Sequence, residues 1–225
     1  NCTDTDGDYI SDWCDVDDDN DGIPDLQEGG SAAVCPSIGS NLFPSYDYQN
    51  CSDITGGKLF SNIGTFEGTT IDMTLRATGP GSINCGASSF GCNSGDEGFT
   101  YFASQNTTIL TFEFLVSGTS NPISINWGVF LDDFDAVEGI QFDKSLAFSY
   151  LLNTNNGTTI TENASQILFE SNDNNEDEIN FFFYSINQLV ITFQHSVSTG
   201  RSICFSSQTN NAANNPASYG NSIAT

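Results

Sequence analysis

From residue 70 to residue 195 the chain keeps returning to an alternation of apolar and polar positions. Ile71, Met73 and Leu75 alternate with Thr70, Asp72 and Thr74, and Leu110, Phe112, Phe114 and Val116 fall on one face of an extended segment. The alternation is longest over Ile123, Ile125, Trp127, Val129 and Leu131. Leu146, Phe148, Tyr150 and Leu152 obey the same rule, as do Ile167 with Phe169, Ile179 to Phe183, and Leu189, Ile191 and Phe193. A period of two is what a strand with one buried face produces. No window sustains a 3.6-residue apolar period with caps, and Gly, Asn, Ser and Thr separate the runs as turn residues do. The pattern predicts an all-β fold of eight to ten antiparallel strands in a β-sandwich, of jelly-roll or Greek-key type.

The pattern changes at both ends. Residues 1–30 are rich in aspartate and close on Gly29 and Gly30, a flexible junction before Ser31. Residues 31–205 hold the alternating runs, and residues 206–225 are polar and low in complexity, as a linker or tail is. Three zones are therefore expected: an acidic segment, a sandwich domain and a tail.

Composition narrows the partners. With 225 residues, 37% of them hydrophobic and 12% aromatic, the chain can bury a substantial core. Its net charge is -25, from only four bases (Lys58, Arg76, Lys144, Arg201) against twenty-nine acids. Such a chain repels phosphate backbones and anionic lipid, which argues against nucleic-acid binding and direct membrane insertion. No apolar run approaches a membrane span, and no basic-then-apolar leader opens the sequence. Because Asn1-Cys2-Thr3 falls inside repeat-like sequence, the chain is expected to be a piece of something longer.

The acidic segment carries the sharpest chemistry. Asp4, Asp6, Asp8, Ile10, Asp12 and Asp15 are followed, thirteen residues on at every position, by Asp17, Asp19, Asp21, Ile23, Asp25 and Glu28. Carboxylates at positions 1, 3, 5, 9 and 12 of a twelve-residue loop match an oxygen-ligated Ca2+ site. Carboxylates this close repel by about 4 kcal/mol per pair at 4 Å and an effective dielectric of 20. The segment is thus expected to be open without a divalent cation and compact with one. Position 6 of such a loop usually needs glycine for its sharp turn. The second copy has Gly22 there, but the first has Tyr9, which predicts a distorted or weaker first site, or one that borrows oxygens such as Asp18 and Asn20. Ile10 and Ile23 are candidates for a small apolar anchor between the loops.

The words Asp-Thr-Asp-Gly-Asp-Tyr-Ile-Ser-Asp and Asp-Asn-Asp-Gly-Ile-Pro-Asp closely resemble thrombospondin type 3 repeats, in the form found in large secreted surface proteins of Bacteroidota. The resemblance covers residues 1–28 alone. It implies a calcium-stiffened spacer between domains of an extracellular protein. In that group such proteins are often adhesins exported by the type IX system, some serving gliding motility.

Other features are less specific. Seven cysteines in a lysine-poor chain fit an oxidising compartment. Cys2 with Cys14 and Cys85 with Cys92 bracket short loops that disulfides would close, while Cys35, Cys51 and Cys204 leave one over. No Cys/His spacing suggests zinc. The five Asn-x-Ser/Thr sequons are about the number chance supplies. Two further acidic clusters, Asp132–Glu138 and Asp173–Glu178, read either as solvated turns or, for the first, as a calcium loop of the lectin kind. His195 continues an apolar strand face and reads as structural. Trp13, Tyr46, Tyr48, Phe90 and Tyr101 lie in loop-like settings where aromatic faces can stack on sugars.

No nucleophile motif is present, and no catalytic carboxylate pair stands out. The expectation is therefore a non-catalytic structural or adhesive segment of a cell-surface protein. Its partners would be neighbouring domains of the same polypeptide, subunits of a surface fibre, or surface glycans. A calcium-dependent carbohydrate-binding module and an accessory domain of a secreted enzyme are the alternatives.

Overall fold

A computed structural model describes residues 56–79, 81–84, 98–103, 107–134, 138–152, 157–172, 177–195 and 201–207, together with Thr5, Asp19 and residues 21–23. The described residues form thirteen strands: β1 (Lys58–Phe66), β2 (Thr69–Thr78), β3 (Gly81–Asn84), β4 (Gly98–Ala103), β5 (Thr107–Val116), β6 (Ile125–Phe134), β7 (Glu138–Asp143), β8 (Ala147–Leu152), β9 (Thr158–Glu162), β10 (Gln166–Ser171), β11 (Asp177–Ile186), β12 (Gln188–His195) and β13 (Arg201–Ser207). No helix among them is long and apolar enough to cross a membrane.

The strands build two antiparallel sheets. A seven-stranded sheet runs β1-β2-β5-β12-β7-β10-β9, and a six-stranded sheet runs β3-β4-β13-β6-β11-β8. From β5 to β8 the chain passes from one sheet to the other at every step, so spatial neighbours such as β5 and β12 are far apart in sequence. The inner faces meet in one apolar core. Trp127 on β6 packs against Phe112 and Phe114 on β5, with ring centroids 5.2 and 5.0 Å apart. Phe142 on β7 meets Phe148, Phe181 and Phe183 of the opposite sheet edge-on at 4.9 to 5.5 Å. Tilted and T-shaped ring pairs at these separations add about 0.5–1.5 kcal/mol each beyond their buried area. The all-β sandwich expected from the alternation is therefore the fold observed.

The strand number exceeds the expected eight to ten, and the reasons are local. β1 hides its alternation because its buried residues Phe60, Ile63 and Phe66 stand three apart. The cause is a bulge between Phe60 and Gly64, where Asn62 adopts φ 55° and lets the strand lose its two-residue repeat. β9 (Thr158–Glu162) has a single large apolar residue, Ile160, because it is an edge strand with little to bury. β11, the strand expected from Ile179 to Phe183, carries a continuous Phe-Phe-Phe-Tyr run because it is covered on both faces. Phe181 and Phe183 enter the core, while Phe182 and Tyr184 are buried on the other side.

A second correction concerns the strand that was to run from Ile123 to Leu131 with an acidic loop after it. The observed β6 starts at Ile125 and continues through Asp132 and Asp133 to Phe134. Cys204 on β13 pairs with Asp132, and Phe134 is fully buried. These two aspartates belong to a sheet strand, not to a loop beside it.

Candidate calcium loop and surfaces of the sandwich

Of the ten ladder carboxylates, Asp19 and Asp21 fall among the described residues. Asp4, Asp6, Asp8, Asp12, Asp15, Asp17, Asp25 and Glu28 lie outside them. The Asp19 Oδ1 accepts the Asp21 N–H at 3.3 Å, and the Asp21 Oδ1 accepts the Ile23 N–H at 2.9 Å. Two successive side chain-to-backbone bonds of this kind wind the chain tightly over five residues. Gly22 sits between them at φ 91°, a conformation that a β-carbon disfavours. Nothing lies within 4 Å of where that β-carbon would be, so the demand for glycine there is purely conformational. The residues present thus fit position 6 of a calcium loop. Ile23, one half of the expected apolar anchor, is 46% exposed, and Ile10 lies outside the described residues. Among the described residues, no three His, Cys, Asp or Glu side chains converge as a metal-binding group.

The fold pairs the end of the β6 strand that carries Asp132 and Asp133 with the start of β11 at Asp177. β6 ends at Phe134 directly opposite Asp177, the first residue of β11, while residues 135–137 and 173–176 lie outside the described residues. Glu138 does not behave as part of a solvated turn. It opens β7, is 1% exposed, and stands across the ladder from His195, which is 5% exposed at the end of β12. Glu138, His195 and Ser171 are all buried on the core side of three adjacent strands, where they cap the apolar interior with polar groups. Nothing in the strand pattern signalled the burial of Glu138, because an acid before a Gly-Ile pair reads as loop.

Asp72 is the other buried acid that the sequence concealed. It occupies an outward position on β2, yet it is only 3% exposed. Its Oδ1 accepts the Asn62 N–H at 2.7 Å and its Oδ2 accepts the Gly118 N–H at 2.9 Å. Burial alone would raise its pKa. The amides of Asn62 and Gly118 and the Ser117 hydroxyl outweigh that effect, so the carboxyl lies below its ordinary value. This carboxylate ties the β1 bulge to the turn after β5.

Among the described residues no further strand lies over the outer face of the seven-stranded sheet. This face presents mainly Thr and Gln, with Ile109 and Val190 at 38% and 42% exposure. Lys144 and Glu162 form an ion pair at 3.2 Å near its β9 edge. The cysteine pairs expected at Cys2–Cys14 and Cys85–Cys92, and the loop aromatics Trp13, Tyr46, Tyr48 and Phe90, lie outside the described residues.

No family model matches the sequence. No curated protein matches it either. Among solved structures, the N-terminal domain of the Streptococcus gordonii adhesin Sgo0707 is similar at a TM-score of 0.46 and 16% identity. The similarity covers 66% of this chain and 44% of that one, so this chain corresponds to less than half of its length. A likeness that low carries neither fold detail nor function across.

Proposed function

We propose that the chain is a non-catalytic adhesive or structural segment of a larger extracellular surface protein, in which Ca2+ stiffens residues 4–28 beside a β-sandwich. The observation that carries this reading is the acid ladder repeated at thirteen-residue offset. The left-handed turn at Gly22 supports it, since the second loop uses glycine where the calcium turn is sharpest. Asp17, Asp19, Asp21, Asp25 and Glu28 would hold one ion. Asp4, Asp6, Asp8, Asp12 and Asp15 would hold another, the weaker because Tyr9 replaces the glycine. The bound ion supplies charge neutralisation that lets the carboxylates approach, which turns a self-repelling segment into a stiff spacer. Its partners would be the neighbouring domains of one polypeptide or other subunits of a surface fibre.

Calorimetric titration of the metal-free chain with Ca2+ tests the reading. Saturable binding at about 10^-4 to 10^-3 M is expected, the range of extracellular modules. Absence of binding at 10 mM, about tenfold above that range, would overturn it.

The pairing of Asp177 on β11 with Phe134, next to Asp132 and Asp133 on β6, favours a second reading, a calcium-dependent carbohydrate-binding module with Asp132 and Asp133 near its site. A glycan array run with and without EDTA separates the two. Sugar binding that needs Ca2+ and is abolished by Asp133→Ala would select the second.

A further inference from the structure

The geometry points to the outer face of the seven-stranded sheet as a binding surface for an uncharged polysaccharide, used without calcium. This inference rests on the adhesive reading and names the ligand class of the sandwich. One row of outward residues crosses six consecutive strands in continuous register: Thr78, Ile109, Thr192, Gln141, Leu168 and Thr161. Five inter-strand steps of about 4.8 Å make the row roughly 24 Å long. None of its residues is charged, although the chain carries a net charge of -25. Charges enter outside the row, with Arg76 and Asp143 in the flanking row on one side, Glu113 one row further, and Glu170 on the other side.

The chemistry of the row selects the occupant. Gln141 donates one Nε2 N–H to the Gln166 Oε1 at 3.1 Å, which sets its orientation and leaves the second N–H and the amide oxygen for a ligand. Thr192 stands beside Gln141 and Thr161 lies two strands away beyond Leu168, while Ile109, Leu168 and the neighbouring Val190 supply apolar surface between the polar groups. Hydroxyl pairs separated by C–H patches are what a neutral sugar chain presents in return. At the centre of the face Gly139 keeps the surface low. A β-carbon there would meet the Gln194 Cγ and Nε2 at 3.1 Å and the Leu168 Cδ1 at 3.2 Å. The missing side chain lets both neighbours lie down over the strand. A polyanion is disfavoured by the acidity of the whole molecule, and a second copy of this chain by the same repulsion. A basic protein would find no carboxylate in the row. A row rather than a pocket suits an extended polymer.

The test is affinity electrophoresis of the whole chain through gels holding a β-glucan, a mannan, amylose or the anionic polymer alginate, with Ca2+ or with EDTA. At least one neutral polysaccharide should retard the wild type equally in both conditions, and alginate should not. The double variant Gln141→Ala with Gln194→Ala should bind about tenfold more weakly, as expected for two lost hydrogen bonds, with its thermal midpoint within a few degrees of wild type. Thr192→Lys is the second variant should the first fail to fold. Failure of the folded wild type to bind any neutral polymer overturns the inference. So does retention of wild-type binding by both variants, which would place a glycan site elsewhere and leave the adhesive reading standing. Loss of binding in EDTA together with Asp133→Ala would overturn it in favour of the acidic end. Failure of the calcium-spacer reading shows separately, in the Ca2+ titration.

Discussion

The Asp72 carboxylate accepts the backbone N–H of Gly118 at 2.9 Å across 46 residues of sequence, while its other oxygen takes the N–H of Asn62. Both donors sit in left-handed backbone, Asn62 at φ 55° and Gly118 at φ 73°, so the carboxylate holds together two turns that lack a regular ladder. Asp72→Asn puts an amide donor against one of those N–H groups. It is expected to lower stability by about 1–3 kcal/mol, read by chemical denaturation at pH 7.

The same residue sets a pH dependence. Its folded pKa is depressed, so its contribution is complete above the unfolded value of about 3.9 and is lost as pH falls through the folded value. Asp143, held down by the Ser145 amide and hydroxyl, acts in the same direction. The stability difference between wild type and Asp72→Asn should therefore shrink below pH 4 and be constant above about pH 5. A difference that stays level down to pH 2 would refute the assignment.

Chelation should lower the thermal midpoint and expose residues 4–28 to protease. Gly22→Ala forces a β-carbon into φ 91° where no neighbour blocks it, so its effect is conformational, about 1 kcal/mol. That corresponds to roughly fivefold weaker Ca2+ binding at the second loop. Far-ultraviolet dichroism of the sandwich should be unchanged by the substitution.

Trp127 is fully buried against Phe112 and Phe114. Trp127→Ala is expected to cost about 3–5 kcal/mol, from lost transfer energy and the cavity left behind. In a Trp13→Phe background, where Trp127 is the sole indole, native emission should be blue-shifted and move to the red on unfolding.

Glu138 and His195 should prove energetically coupled. A double-mutant cycle with Glu138→Gln and His195→Gln is expected to give an interaction of about 0.5–3 kcal/mol, since the two are buried on opposed strand positions. Strict additivity would show that each is held by other groups.

Much of the sandwich could be read from alternation. β2, β5, β10 and β12 each bury every second residue, and those residues supply the core from one sheet. Six strands, β1, β3, β4, β7, β9 and β13, escaped, and in three of them the alternation is obscured for a physical reason. β1 is bulged, β9 is an edge with one apolar residue, and β7 begins with a buried acid. The acid ladder was legible because its carboxylates lie close together along one short stretch of sequence. The uncharged row was not, because Thr78 and Thr161 become members of one surface only through five ladders that pair distant segments.

By itself the sequence determined what depends on neighbours along the chain: the period of two, the repeat at thirteen residues, the glycine at position 6 and the sign of the charge. Each is a local property, set by backbone geometry or by summed charge. The tertiary structure alone decided which face of Asp72 meets which turn, that Glu138 is buried opposite His195, that Asp177 stands opposite Phe134, and that an uncharged row crosses the sheet. Those outcomes depend on strand register and crossover. Register is fixed by how two apolar faces interlock across the core, and no single segment carries that information.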